Sequence, residues 1–500
     1  MKVIYCVSEL LDWVDVAKYF QKTKGWEPSL WLTTSKNVNY ITENFPSVDT
    51  IDFHNANRGI LENIPLTKQI ILSKSIILKY LQYEKIVLKM MDRMDVTGRS
   101  FNTAERTQLY YVILEFLLNY IENNKPEIII FNESPHSPFT YLIYAIAIEK
   151  NIKILRLSPT HINANTFLAS NLDNPESFLK STYTQTIKEK YISDEVNTFI
   201  DTINSTYENA TPYYMAKIIK ANKQNDFYKI GKSFTKFIKY YFKSKQKESY
   251  YKNTFDSIRL GYKNTDLAYT IVKATFYKMA LQKEYLKYVK SSEKEFNIND
   301  QFIYFPLQYQ PEKSTSPEGD IFADQFLAIN MLSKLSQGRY KIYIKEHISQ
   351  FSIKLNGEQG RLKSFYQELS LLDDIVFVDT SISSFSLIDN SIAVATITGT
   401  AGFESVVRGK PSLIFGFPWY KNCHGVFHVQ SPTELNSALT KIMDNYKTNI
   451  DDIKYFLESI FKISEKIYLN NSNKSSIKDS NHDNAKSIIS LIEKYENKYS

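Results

Sequence analysis

After an apolar run, Ile392–Ile397, the chain reads Thr398-Gly399-Thr400-Ala401-Gly402, and Glu404 follows two residues later. Two hydroxyls and two glycines between a strand and a helix are residue types that cradle a phosphate. Glycines let a backbone come close, and the threonine hydroxyls of Thr398 and Thr400 donate hydrogen bonds. Glu404, one turn into the helix, could accept hydrogen bonds from a ribose. Three more polar groups follow strand-like runs in the same half. Gln308, Gln310 and Glu312 come after Phe302–Phe305, with Ser314, Thr315 and Ser316 in front of a helical stretch. They offer either a nucleotide contact or a well-made helix start. Lys345 and His347 stand at the end of Lys341–Lys345. There they could neutralise a leaving phosphate, the histidine by giving a hydrogen bond or a proton, or be ordinary surface residues. Ser381, in Asp379-Thr380-Ser381 after Ile375–Val378, could contact a nucleotide or cap the next helix.

The first half holds one comparable feature, Phe131-Asn132-Glu133-Ser134-Pro135-His136-Ser137-Pro138, directly after Ile128-Ile129-Ile130. A carboxylate such as Glu133 at a strand end can act as general base or covalent nucleophile. His136 could carry the proton or hold an acceptor. A helix entry capped by Ser137, with Pro138 in its first turn, accounts for those two residues but not for Glu133 or His136.

Such residues need elements to hold them. Strand-like and helix-like segments alternate over residues 1–165, fall silent over a polar, Lys/Tyr-rich stretch at 166–298, and resume over 299–470. A polar loop and an amphipathic helix follow at 471–500. Alternation of this kind predicts parallel sheets covered by helices. The expected fold is α/β, with two Rossmann-like domains facing a cleft and a basic, helical middle region as insertion or connector. If the strands are parallel, the four polar groups of the second half share one sheet edge, the ligand crevice of a doubly wound sheet.

Composition excludes several classes. Cys6 and Cys423 are the only cysteines, which argues against a disulfide framework, and no His/Cys spacing fits zinc. No metal ligands, P-loop or nucleophile elbow can be read, so no metal or cofactor is expected. The N-terminus meets Glu9 and Asp12 too early for a signal peptide, and the apolar run Ile70–Leu81 is broken by Lys74 and Lys79. A cytoplasmic protein is expected. The net charge of +7 is concentrated between Tyr213 and Tyr250, where ten lysines face Asp226 and Glu248 among interleaved aromatics. That segment reads as a solvated basic face or as a contact for an anionic membrane surface, which would make the protein peripheral at the inner face. No nucleic-acid motif accompanies it, so no nucleic-acid partner is expected.

Three stretches of the second half resemble bacterial capsule-polysaccharide synthesis glycosyltransferases, the group that includes Kdo transferases and, more distantly, the GT-B sialyltransferases. They are FPLQYQPEKSTSPEGDIFADQ (Phe305–Gln325), YIKEH (Tyr343–His347) and TITGTAGFESVVRGKPSLIFG (Thr396–Gly416), the last followed by Trp419 and Tyr420. FNESPHSP (Phe131–Pro138) resembles the acidic motif of the N-terminal domain of such enzymes. The resemblance covers Phe302–His428, with an anchor at Glu127–Lys150, and leaves the middle region out.

It implies a GT-B-type fold and transfer of a sugar such as Kdo or another nonulosonic acid. The donor would be a CMP-sugar, the acceptor a surface polysaccharide or glycolipid, and no metal would be needed. By position, Lys345 and His347 would face the CMP phosphate, Thr398, Gly399 and Thr400 would cradle it, Glu404 would reach the ribose, and Glu133 would be the catalytic carboxylate. One departure is visible: the usual His-Pro after the strand is His347-Ile348 here, so the stiffening by proline is absent. Two other readings stay open, a CDP-polyol phosphotransferase of teichoic-acid type and a non-catalytic GT-B-like scaffold for capsule assembly.

Overall fold

A computed structural model describes residues 1–7, 9–61, 69–95, 101–160, 162–172, 177–205, 226–243, 264–312, 314–352, 355–470, 474, 477 and 481–499. Its strands in chain order are β1 (Lys2–Cys6), β2 (Glu27–Thr33), β3 (Asp49–Asp52), β4 (Ile128–Phe131), β5 (Lys153–Pro159), β6 (Asn165–Ala169) and β7 (Phe302–Pro306). They continue as β8 (Lys341–Lys345), β9 (Ile375–Phe377), β10 (Ala393–Thr396), β11 (Ser412–Ile414), β12 (Val426–His428) and β13 (Glu465–Lys466). Two sheets result, in the orders β13-β6-β5-β4-β1-β2-β3 and β12-β11-β10-β7-β8-β9.

The chain forms two compact units. The first comprises Met1–Met91, Asn102–Tyr191 and Tyr455–Ser500, the second Asp92–Phe101 and Ile192–Lys454. Within the second unit every strand pairing is parallel. Counted within the unit, its order is 3-2-1-4-5-6, the doubly wound Rossmann pattern. The first unit repeats the plan with β3-β2-β1-β4-β5 in parallel. It then adds β6 antiparallel to β5, and β13 antiparallel to β6. Two Rossmann-like α/β units, with the C-terminal helix returned to the first, follow the GT-B-type plan expected above.

Continuous apolar runs make these strands because helices cover both faces of a parallel sheet. Along β7, Ile303 and Phe305 enter one core with Ile342 and Ile344, while Phe302 and Tyr304 enter the opposite core with Tyr343. That is the two-residue period of a strand used on both sides. Phe302 stacks on Tyr343 with ring centroids 4.1 Å apart.

The middle region is more than a connector. Helix Asn264–Ser292 places Leu281, Tyr285 and Val289, spaced four residues apart, in the core of the second sheet. Helix Asp194–Asn204 docks through Phe199 on Phe403, with centroids 6.2 Å apart, and through its Ile203 carbonyl on Arg408 Nη1 at 2.8 Å. At the other end, 299–470 overruns the second unit, which stops at Lys454. The reason is apolar: Ile467, Tyr468, Leu469, Ile488, Leu491 and Ile492 pack with Trp13, Val14 and Phe20 of the first unit. Most of the basic Tyr213–Tyr250 segment lies outside the described residues; helix Asp226–Lys243 is its described part. Among the described residues no helix is long and apolar enough to cross a membrane.

Candidate functional site

The crossovers of the second sheet change direction between β7 and β10, and ligands of such sheets bind outside the carboxyl ends of the strands at that point. Gln308 follows β7 and Thr398 follows β10. They meet there through both ends of the glutamine amide. Gln308 Oε1 accepts from the Thr398 backbone N–H at 2.9 Å, and Gln308 Nε2 donates to Thr398 Oγ1 at 3.1 Å. Because Thr398 Oγ1 is the acceptor in that bond, its own proton is left to give to a ligand.

The glycines have a second explanation besides ligand approach. A Cβ on Gly399 would stand 2.8 Å from Thr396 Oγ1, and one on Gly402 would stand 2.5 Å from Tyr420 Oη and 2.7 Å from Ser412 Oγ. The turn needs glycine for its own packing. Thr400, at the tip, is exposed. Burial pushes the Glu404 carboxyl up from the usual range, while a hydrogen bond from Thr400 and the charge of Arg408 pull against that rise. The carboxyl is therefore anchored beside the turn that carries the hydroxyls.

At the end of β8, Lys345 and His347 flank Glu346, a residue the spacing did not single out. Lys345 Nζ donates to the Ile382 carbonyl at 2.5 Å and to Ser384 Oγ at 3.0 Å, which ties β8 to the loop containing Ser381. An ammonium has three protons, so one remains for an anion. Burial lowers the Lys345 pKa to about 8, against the pull of Asp379. His347 Nδ1 accepts from the Ser349 N–H at 3.2 Å, so the proton of the neutral ring sits on Nε2. Burial lowers its pKa to about 4 despite Glu346. His347 is thus a neutral hydrogen-bond donor near pH 7, not a cation.

Glu346 is the hub. Arg361, its side chain wholly buried, meets it through Nε at 3.0 Å and Nη2 at 3.1 Å. Tyr366 Oη donates to the same carboxylate at 2.6 Å, and the His347 N–H does so at 2.7 Å. Arg361 also donates to the Gln308 carbonyl at 2.8 Å and to Gln310 Oε1 at 3.0 Å. The ends of β7 and β8 are joined by one buried ion pair.

Gln310, expected at the donor, faces inward. Its Nε2 donates to the Ala323 carbonyl, its Oε1 takes Arg361, and its backbone exchanges hydrogen bonds with the Gln350 amide at 2.9 and 3.0 Å. Glu312 keeps its carboxyl pKa raised to about 6, chiefly by burial, with Ser314 and Arg93 lowering it and Glu318 raising it. Arg93, from the Asp92–Phe101 segment that joins the second unit, donates to the carbonyls of Glu312 at 2.9 Å and Ser316 at 3.3 Å. The hydroxyls Ser314–Ser316 do not start the next helix, since Asp324 caps it on the Phe326 N–H. Ser381 is exposed, its N–H bonded to Asp379 Oδ1 at 2.7 Å.

In the first unit Glu133 follows β4, which lies beside β1 at that sheet's own switch point. Asn132 is pinned by Trp13 Nε1 at 3.0 Å and by its bond to the Leu469 carbonyl at 2.6 Å, fixing the exit of the strand. His136 Nδ1 lies 2.9 Å from the Ser134 carbonyl, which can only accept, and 3.7 Å from Glu133 Oε1. The ring therefore carries a proton on Nδ1. Ser137 and Thr140 form the capping box, with Pro138 in the first turn, as the capping reading has it.

Thr398, Gly399 and Thr400 follow β10 in one turn, and Glu404 lies in the first turn of the helix Ala401–Val407, as the spacing has them. The spacing missed Gln308 as their clamp and the pair of Glu346 and Arg361. Only the central position of Glu346 in Lys345-Glu346-His347 hinted at the pair; Arg361 lies in a loop with no local signal. Among the described residues no three His, Cys, Asp or Glu side chains gather as metal ligands would.

Among solved structures, the chain is similar to UDP-GlcNAc 2-epimerase from Neisseria meningitidis bound to UDP-GlcNAc (12% identity, 92% of this chain and 100% of that one, TM-score 0.23). It is also similar to KpsC of Thermosulfurimonas dismutans, a beta Kdo 2,7 transferase (10% identity, 99% of each chain, TM-score 0.29). No curated protein matches. The model of the family described as capsule polysaccharide biosynthesis protein matches residues 199–451, a span lying within the Ile192–Lys454 part of the second unit. With just over half of its 500 residues matched, the chain belongs to the capsule polysaccharide biosynthesis protein family.

Proposed function

We propose that the protein is a glycosyltransferase that takes a sugar, Kdo or another nonulosonic acid, from a CMP-sugar and attaches it to a capsule polysaccharide or glycolipid acceptor. The observation that carries this is the position of the Thr398–Glu404 turn at the switch point of a wholly parallel 3-2-1-4-5-6 sheet, inside the matched family span. The choice of CMP rests on the resemblance of Phe305–Gln325, Tyr343–His347 and Thr396–Gly416 to CMP-sugar transferases.

In this reading the Thr398 hydroxyl holds the phosphate, the Thr400 hydroxyl joins it by turning its proton from Glu404 to the ligand, and Glu404, so released, accepts from the ribose. The remaining Lys345 proton and the Nε2–H of His347 stabilise the charge that grows on CMP as it leaves, with no metal ion in the step. Gln310, Glu312 and Ser381 act on the donor indirectly, through the loops they hold. In the first unit Glu133 deprotonates the acceptor hydroxyl or attacks the sugar, and His136 carries the proton or holds the acceptor.

A nucleotide panel tests it. CMP should raise the melting temperature more than UMP, GMP or AMP, since a ligand bound to the native state stabilises it by mass action. Sugar transfer from CMP-Kdo should survive EDTA. Stabilisation by CDP-glycerol with no effect of CMP-sugars would overturn the reading in favour of a polyol phosphotransferase.

A further inference from the structure

Helix Lys74–Met90 of the first unit carries an apolar stripe on its outer side. Leu78 and Leu81 are 56% and 52% exposed, and Ile71, just before the helix, is 79% exposed. Lys74, Leu78, Leu81 and Lys85 recur at i, i+4, i+7 and i+11, which places them on one face, and Lys74 and Lys85 are exposed there too. The opposite face holds the helix down: Tyr80, Ile86, Val87 and Met90 are buried. Within the helix four lysines stand against Glu84 alone, a net of +3. Glu84 is half-buried and off the stripe. A second carboxylate, Glu149 of the neighbouring helix, is already engaged by Lys79 Nζ at 3.4 Å and Tyr83 Oη at 2.9 Å.

Exposed leucines flanked by lysines match the two halves of an anionic bilayer surface, acyl chains below and negative headgroups above. Two exposed leucines a turn apart on one helix face, with an exposed isoleucine just before the helix, form an apolar stripe of the kind that marks a contact. We propose that this helix is the membrane-docking element of the protein, lying flat on an anionic lipid surface with Ile71, Leu78 and Leu81 inserted and Lys74 and Lys85 at headgroup level. This contact is independent of the donor site and belongs to the first unit, not to the basic Tyr213–Tyr250 segment.

The full chain would be sedimented with vesicles of phosphatidylcholine alone and of equimolar phosphatidylcholine and phosphatidylglycerol. The wild type should pellet with the anionic vesicles, less so as salt rises. Each lysine near an anionic surface contributes about fivefold to partitioning, so Lys74→Gln/Lys85→Gln should bind roughly twenty-five-fold more weakly. Leu78→Ser/Leu81→Ser should lose at least about tenfold. Both variants should melt with the wild type, because the altered side chains are exposed. Three results would overturn the proposal: no binding of the wild type to anionic vesicles, unchanged binding of both variants, or a loss that follows Lys232→Gln/Lys236→Gln instead. A wild-type dimer that Leu78→Ser/Leu81→Ser converts to monomer in sedimentation velocity would make the stripe a self-association face, and would overturn it as well.

Discussion

Replacing Arg361 by methionine removes the cation from a site where its partner cannot be rehydrated. Both side chains of the Glu346–Arg361 pair are wholly buried. Burial works against the charge on Arg361, and Glu346 more than restores it, holding the guanidinium pKa above its usual value. In Arg361→Met, Glu346 keeps Tyr366 and the His347 N–H but loses two charged contacts of 3.0 and 3.1 Å. Gln310 Oε1 and the Gln308 carbonyl lose a donor each. Breaking a buried pair from one side costs about 3–5 kcal/mol. For a unit of this size that corresponds to a fall of roughly 10 °C in its melting transition, readable by circular dichroism on the full chain. Glu346→Leu/Arg361→Met removes the stranded charge and should lose less than the sum of the two single variants, by at least about 1 kcal/mol. A melting transition of Arg361→Met within about 2 °C of wild type, or strictly additive losses, would refute the view of the pair as the brace between β7 and β8.

Further outcomes follow from the same geometry. Gln308→Glu keeps an acceptor for the Thr398 N–H but turns the Thr398 hydroxyl toward the new carboxylate and adds a negative charge; CMP affinity by calorimetry should fall at least about tenfold with little change in melting. If Glu133 serves the transfer step as proposed, Glu133→Gln should lower kcat by about two to four orders of magnitude while CMP affinity stays as in wild type. CMP affinity should hold from neutral pH to about 8 and weaken above it as Lys345 loses its proton, and Lys345→Met should remove that limb of the profile. His347 is folded with a pKa near 4 against 6.5 unfolded, so the unfolded chain takes up the proton first. Its contribution to stability is therefore present above pH 6.5 and lost as pH falls through 4, and His347→Gln should flatten that part of a melting-temperature profile.

Much of the fold could be read because parallel strands are short, apolar and regularly spaced. Runs such as Ile128–Phe131 and Phe302–Pro306 announce themselves. The strands the spacing does not show are β12 and β13 at the sheet edges and β6 next to β13, where Asn165, Glu465 and Lys466 dilute the apolar signal. In the site, the Thr398–Glu404 turn was legible because it is contiguous. The Gln308 clamp and the Arg361–Glu346 brace were not, because their partners lie 90 and 15 residues apart and meet only once the sheet has formed. The helix at Lys74–Met90 shows the converse: its sequence displays the apolar run and the lysines, but only burial tells that Leu78 and Leu81 point outward.

The central claim, that the turn after β10 holds the phosphate of CMP, is tested most directly by calorimetric titration of cytidine and CMP into wild type, Thr400→Ala and Thr398→Ser. CMP should bind the wild type more tightly than cytidine, Thr400→Ala should lose about tenfold for CMP and nothing for cytidine, and Thr398→Ser, which keeps the hydroxyl, should bind as wild type. Equal affinity of the wild type for cytidine and CMP, or CMP binding unmoved by Thr400→Ala, would contradict it.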